Sequence, residues 1–169
     1  MEKKVKMQIK NKIAKIGIAT LMVLLCYSCT QSTITHTYQS LPYSGWERDS
    51  ILNYTVVVDS LTGKCNIDIE LAYNNSYPYS NIYLFVSAND STENCIFSDT
   101  LNIVLADEFG QWKGDGWGSL YQQREWYKKH YAFPTEGVYE IRIKQGMRDN
   151  PIQGIEKVGV RVERAVEVE

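Results

Sequence analysis

Apolar and polar positions alternate with a period of two along much of the chain. The clearest run is Cys65 to Tyr73. Cys65, Ile67, Ile69, Leu71 and Tyr73 share one face, and Asn66, Asp68 and Glu70 share the other. Such a pattern predicts a half-buried antiparallel strand with its polar side to water. Leu52, Tyr54, Val56 and Val58 repeat it upstream. Downstream, Tyr139, Ile141 and Ile143 do so, as do Val158, Val160 and Val162 with Arg161 pointing outward. The run Ile82-Tyr83-Leu84-Phe85-Val86 is apolar throughout and predicts a central strand covered on both faces. A further strand is expected over residues 98–105, SDTLNIVL.

Turn signals separate these runs: Asp59-Ser60-Leu61-Thr62-Gly63, Asn74-Asn75-Ser76, a polar loop SANDSTEN at 87–94, Pro134-Thr135-Glu136-Gly137, and GMRDNPIQG at 146–154. Residues 106–130 break the rhythm. Gly110, Gly114, Gly116 and Gly118 interleave there with Trp112, Trp117 and Trp126, and Leu120 to His130 is compatible with a short helix, a strand or a loop. Six to eight short strands at this spacing argue for an all-β fold, a single antiparallel β-sandwich, with jelly-roll-like arrangements among the candidates.

The first 29 residues follow different rules. Lys3, Lys4, Lys6, Lys10, Lys12 and Lys15 precede an apolar run from Ile16 to Leu25, and Tyr27-Ser28 leads to Cys29. A basic leader, an apolar stretch of about ten residues and a small residue at the cut make an export signal. The stretch is shorter than the roughly twenty residues that a spanning helix needs. Ser28 before Cys29 suits cleavage by a lipoprotein signal peptidase, although Cys26 stands where an aliphatic residue is usual. The expected organisation is a signal peptide over 1–28, lipidated Cys29 with a tether over 29–40, and a β-sandwich over 41–169. Thr35 to Ser40 already has strand character.

Removing residues 1–28 changes the charge. They hold six of the 18 Lys and Arg but one of the 20 Asp and Glu, so the remainder carries 12 basic and 19 acidic residues, a net of −7. An acidic domain is a poor nucleic-acid binder, because that affinity is mostly cationic. Cys65 and Cys95 remain as an even pair in an oxidising compartment and are the candidates for a disulfide.

Catalysis is not expected. His36 and His130 are the only histidines, and no H-E-x-x-H, C-x-x-C, G-x-S-x-G or P-loop pattern occurs. Asp107, Glu108 and Asp115 lack the spacing of a calcium loop or any mark of a glycosidase pair. No cofactor or metal is therefore expected. The candidate contact residues are aromatic: Trp112 and Trp117 in the glycine-rich loop, and Tyr77 and Tyr79 around Pro78. Their competing reading is packing at the end of the sandwich, with indole N–H groups shared with the loops.

The run Tyr77-Pro78-Tyr79-Ser80-Asn81-Ile82-Tyr83-Leu84-Phe85 resembles a block of the gliding-motility lipoprotein GldH family of Bacteroidetes. Asp99-Thr100-Leu101, Leu105-Ala106-Asp107, Gly110-Gln111-Trp112 and Gly114-Asp115-Gly116 extend the likeness. So do Phe133-Pro134, Gly137, Tyr139, Gln145, Met147-Arg148, Gly154-Ile155 and Val158 to Glu163, with Trp46 and Asp49-Ser50 at the start. The resemblance implies a non-enzymatic envelope lipoprotein of the gliding and type IX secretion machinery, with the membrane and envelope proteins as partners. It brings no catalytic residue with it. Thr30-Gln31-Ser32-Thr33 lacks the acidic cluster that directs many such lipoproteins to the cell exterior, so the expected side is the periplasmic face of the outer membrane. A carbohydrate-binding module that uses the Trp-rich loop is the alternative. The oligomeric state is not legible.

Overall fold

A computed structural model describes residues 33–60 and 62–165. Among them the chain forms nine strands and no helix: β1 (Thr33–Ser40), β2 (Leu52–Val58), β3 (Lys64–Asn74), β4 (Asn81–Asp90), β5 (Cys95–Val104), β6 (Asp115–Trp117), β7 (Leu120–Ala132), β8 (Gly137–Gln145) and β9 (Ile155–Arg164). Two antiparallel sheets result, ordered β1-β9-β3-β7-β6 and β2-β8-β4-β5. The chain crosses between sheets at most connections, and β1 returns to pair with β9. With the short β6 set aside, eight strands in this order make a jelly roll.

The inner faces form one core. Leu52, Tyr54, Val56, Ile82, Leu84, Val86, Tyr139, Ile141 and Ile143 come from the smaller sheet. Cys65, Ile67, Ile69, Leu71, Tyr73, Val158, Val160 and Val162 come from the larger. The predicted inward faces of β2, β3, β8 and β9 are all observed, since period-two side chains have one apolar side to bury. Tyr54 donates from its hydroxyl to Val158 O across the core at 2.8 Å. Trp46 is fully buried in the β1–β2 connection, where its indole N–H donates to Ser50 O at 3.1 Å and its backbone bridges Ile152.

Several expectations change. The strand character of Thr35 to Ser40 is realised, but the strand belongs to the sandwich and not to the tether: β1 pairs with β9 from Thr35↔Val162 to Ser40↔Lys157. Residues 87–90, read as loop, continue β4, because β5 and β8 flank them on both sides. Leu120 to His130 lies within the long strand β7, held by β3. Tyr83 and Phe85 on β4 stand about half exposed on the outer side, since no strand of the described residues packs over the smaller sheet there. Asp68 and Glu70, expected in water, are buried although they lie on the outer side of β3. Neighbouring strands supply long side chains that cover them.

The candidate disulfide between Cys65 and Cys95 is not formed. Cys65 points into the core from β3, with its Sγ 3.3 Å from Tyr131 O, whereas Cys95 is exposed on β5 of the other sheet. Cys95 Sγ is 3.4 Å from Phe97 O. Both thiols are free.

Strand polarity sorts the connections to two ends. The β1–β2, β3–β4, β5–β6 and β8–β9 connections gather at one end. The β2–β3, β4–β5 and β7–β8 turns gather at the other, together with the start of β1 and the end of β9.

Candidate functional site

The outer face of the larger sheet carries the densest polar chemistry. Register places Tyr38, Gly159, Glu70 and Arg124 in one row across β1, β9, β3 and β7, and His36, Arg161, Asp68 and Trp126 in the next. Outward residues of adjacent strands become side-chain neighbours in this way.

Gly159 makes the first row work. A Cβ there would lie 2.6 Å from the Tyr38 ring, so the bare backbone of β9 lets the phenol lie across it. The Tyr38 hydroxyl thereby donates to Glu70 Oε2, which also meets His36 Nε2 at 3.1 Å. Arg124 is fixed from three sides. Its Nε donates to Asp68 Oδ2 at 2.8 Å and its Nη2 to Glu163 Oε1 at 2.8 Å, while Trp126 lies 4.6 Å from the guanidinium. Arg161 adds a second contact to Glu163 at 2.5 Å.

This arrangement sets the ionisations. Burial pushes the Asp68 carboxyl above the usual carboxylate range, against the hydrogen bonds from Arg124. Burial acts on Glu163 in the same sense, but the hydrogen bonds from Arg124 and Arg161 outweigh it and hold that group low. Both Arg124 contacts to Asp68 fall on Oδ2; Asp68 Oδ1 is buried without a hydrogen-bond partner, as is Arg161 Nε. Buried carboxylates are costly, and they contribute nothing to the apolar core from this side of the sheet.

The four predicted aromatic candidates divide. Tyr77 is buried, and its hydroxyl donates to Asn81 O at 2.8 Å. Trp112 is half-buried; its indole N–H donates to Asn75 Oδ1 at 3.0 Å, and its ring meets Tyr73 edge-on at 5.1 Å. Tyr79 packs edge-on against Tyr77 at 6.0 Å and donates to Asp149 Oδ2 at 2.8 Å. That hydrogen bond is the main cause that raises the Tyr79 phenol above its ordinary value. These three close one end of the sandwich, which is the packing reading. Trp117 is different. It sits at the β6–β7 hairpin, 95 % exposed.

Asp107 spends its carboxylate within its own turn, where Oδ1 accepts from the Phe109 and Gln111 amides at 2.9 and 2.8 Å. Among the described residues no group of three or more His, Cys, Asp or Glu is placed to hold a metal. Sequence reasoning missed the network of Tyr38, Asp68, Glu70 and Arg124. The one available signal was Gly159 between Val158 and Val160, an unusual glycine in a strand interior.

Fold and site together define a jelly-roll β-sandwich whose surface chemistry is aromatic and hydrogen-bonding. A sequence profile described as GldH lipoprotein matches residues 33–162, nearly the whole sandwich. The chain belongs to the GldH lipoprotein family. It is 31 % identical over 165 residues to the gliding motility lipoprotein GldH of Flavobacterium johnsoniae, covering 94 % of this chain and 99 % of that protein. A gliding motility lipoprotein GldH homolog of Christiangramia forsetii is 29 % identical over 150 residues, covering 85 % and 91 %. Among solved structures, an exo-beta-1,3-galactanase from Phanerochaete chrysosporium aligns with 76 % of this chain and 26 % of its own, at 13 % identity and a TM-score of 0.35. A likeness that slight carries no argument.

Proposed function

We propose that this chain is a lipid-anchored envelope protein, held at the membrane through Cys29. It acts in gliding motility and the associated type IX secretion machinery as a non-enzymatic structural or assembly component. The relatives' names support the process, and the family supports the anchor.

The observation that carries the reading is where the sandwich begins. β1 starts at Thr33, which leaves Thr30, Gln31 and Ser32 between it and Cys29. Four residue steps span at most about 14 Å. A lipid on Cys29 would therefore hold the end that carries the β2–β3, β4–β5 and β7–β8 turns close to the bilayer. The opposite end, with Tyr43, Phe109 and Trp117 all strongly exposed, would point away from it. Exposed aromatic residues there suit contact with envelope partners. The anchor is in the outer membrane, and the lack of acidic residues in Thr30-Gln31-Ser32-Thr33 supports its periplasmic face over the cell exterior.

The test is genetic. Deletion of the gene from a gliding host should abolish spreading, and the full-length gene should restore it. Undiminished spreading after deletion would contradict the reading.

A further inference from the structure

We propose that the outer face of the larger sheet binds a neutral, polyhydroxylated ligand, an oligosaccharide. The groove runs from Tyr38 and Glu70, past Gln122 and Asp115, to Trp117. This site is independent of the anchor at Cys29.

Two adjoining cavities define the groove. One, about 200 Å³, is lined by Tyr38, Glu70, Asp115, Gln122 and Arg124; the other, about 310 Å³, by Asp115, Gly116, Trp117, Leu120 and Gln122. They share Asp115 and Gln122, which are paired directly across β6 and β7. The trough crosses the strands and ends on an exposed indole.

The lining is built and it is incompletely paired. Arg124 is held by Asp68, Glu163 and Trp126, and Glu70 is held by Tyr38 and His36, so these groups are ordered before any ligand arrives. Both contacts to Glu70 fall on Oε2. Among the described residues, Glu70 Oε1, Arg124 Nη1, the Gln122 side-chain amide and the Asp115 carboxylate take no protein hydrogen bond. Four planar donors and acceptors thus face one trough with capacity to spare. Directed polar groups beside an apolar platform are the ordinary composition of a small-ligand site.

The chemistry selects the class of ligand. On the floor of the groove an extended peptide has no backbone to pair with, because β3 is paired on both sides by β9 and β7, and β7 at Gln122 by β3 and β6; the free edges of the sheet, β1 and β6, lie at the two ends of the trough. An anion would meet Glu70 and Asp115, and the one cation in the lining already faces Asp68 and Glu163. A metal finds no cluster of ligands among the described residues. Vicinal hydroxyls remain. They both donate and accept, which suits carboxylate, amide and guanidinium side by side. The C–H face of a pyranose suits the indole of Trp117, whose ring stands clear of the protein.

The experiment is calorimetric titration of the full mature protein, in a detergent without a sugar head group, with cellohexaose, chitohexaose and laminarihexaose. Saturable binding of at least one is expected. It should weaken at least tenfold in Trp117→Ala and in Gln122→Ala, both surface substitutions that leave the unfolding midpoint unchanged. No binding of any of the three at millimolar concentration would overturn the proposal, and so would binding indifferent to both substitutions. A third outcome would overturn it as well: loss of a co-purifying envelope protein in both variants without any glycan heat, which would make the groove a protein-docking face.

Discussion

Tyr38 reaches Glu70 across an intervening strand. The phenol leaves β1, passes over Gly159 of β9, and donates to a carboxylate on β3 that is buried on the outer side of the sheet. Three strands are tied by side chains above their backbone ladder. Gly159→Ala should push the ring off its path, because the new Cβ would sit 2.6 Å from two ring carbons. The expected cost is about 1–3 kcal/mol, the range for taking the partner from a buried acceptor. Tyr38→Phe should cost a similar amount. The double variant should cost less than the sum, since both changes remove one contact. Urea unfolding of the three variants reads this directly; simple additivity would mean that the two residues act separately.

Two tryptophans five positions apart should behave in opposite ways. Trp112 packs on Tyr73, Tyr77 and Tyr121 and shares its N–H with Asn75. Trp112→Ala should lose about 2–4 kcal/mol, somewhat less than a fully buried aromatic. Trp117→Ala should stay within about 0.5 kcal/mol of the parent, as exposed substitutions do. Thermal or chemical unfolding compares them. Equal losses would contradict the placement of Trp117 outside the packed end.

The free thiols should separate by reactivity. Burial pushes the Cys65 thiol up to about 11, while Cys95 lies open on β5. A maleimide at pH 7.5 should modify Cys95 in the native protein within minutes and Cys65 only after denaturant is added, because the thiolate is the reacting form. Intact mass spectrometry without reductant checks both points. A native mass two daltons low, with neither site labelled, would restore the disulfide.

In the β4–β5 turn, Asp90 gathers hydrogen bonds from the side chain and backbone of Thr92 and of Asn94. Led by the Thr92 hydroxyl, these hold its carboxyl down at about 2, against an ordinary 3.8. A carboxylate depressed in the folded state stabilises above its unfolded pKa, and that contribution fades as pH falls toward the folded value. Asp90→Asn should therefore flatten the decline in unfolding midpoint between pH 4 and pH 2 and leave the slope above pH 5 unchanged. An NMR titration of the parent should find this carboxyl still ionised at pH 3.

What was legible in the sequence follows from what a period of two encodes. Alternation names the inward face of a strand, and it did so for Leu52 to Val58, Cys65 to Tyr73, Tyr139 to Ile143 and Val158 to Val162. It is silent on what covers the other face. Asp68 and Glu70 read as solvated because the sequence alternates. They are buried because Tyr38, Arg124 and Arg161 come from strands 30 to 93 positions away in the chain. Tyr83 and Phe85 fail in the opposite sense, being apolar residues on a face that no element of the described residues covers. The β7 strand was ambiguous because Leu120 to His130 lacks both a clean alternation and a glycine or proline, and pairing with β3 decided it. Of the aromatic candidates, Trp112 and Trp117 share a glycine-rich context. Only the three-dimensional position of the β6–β7 hairpin tells the packed ring from the free one.

The proposed role depends first on the anchor. Metabolic labelling with radioactive palmitate, followed by membrane fractionation, tests it most directly. The parent should carry label and sediment with the outer membrane, whereas Cys29→Ala should lose both the label and the membrane association. Label persisting in Cys29→Ala, or an unlabelled parent, would contradict anchoring through Cys29 and with it the orientation of the sandwich on the membrane.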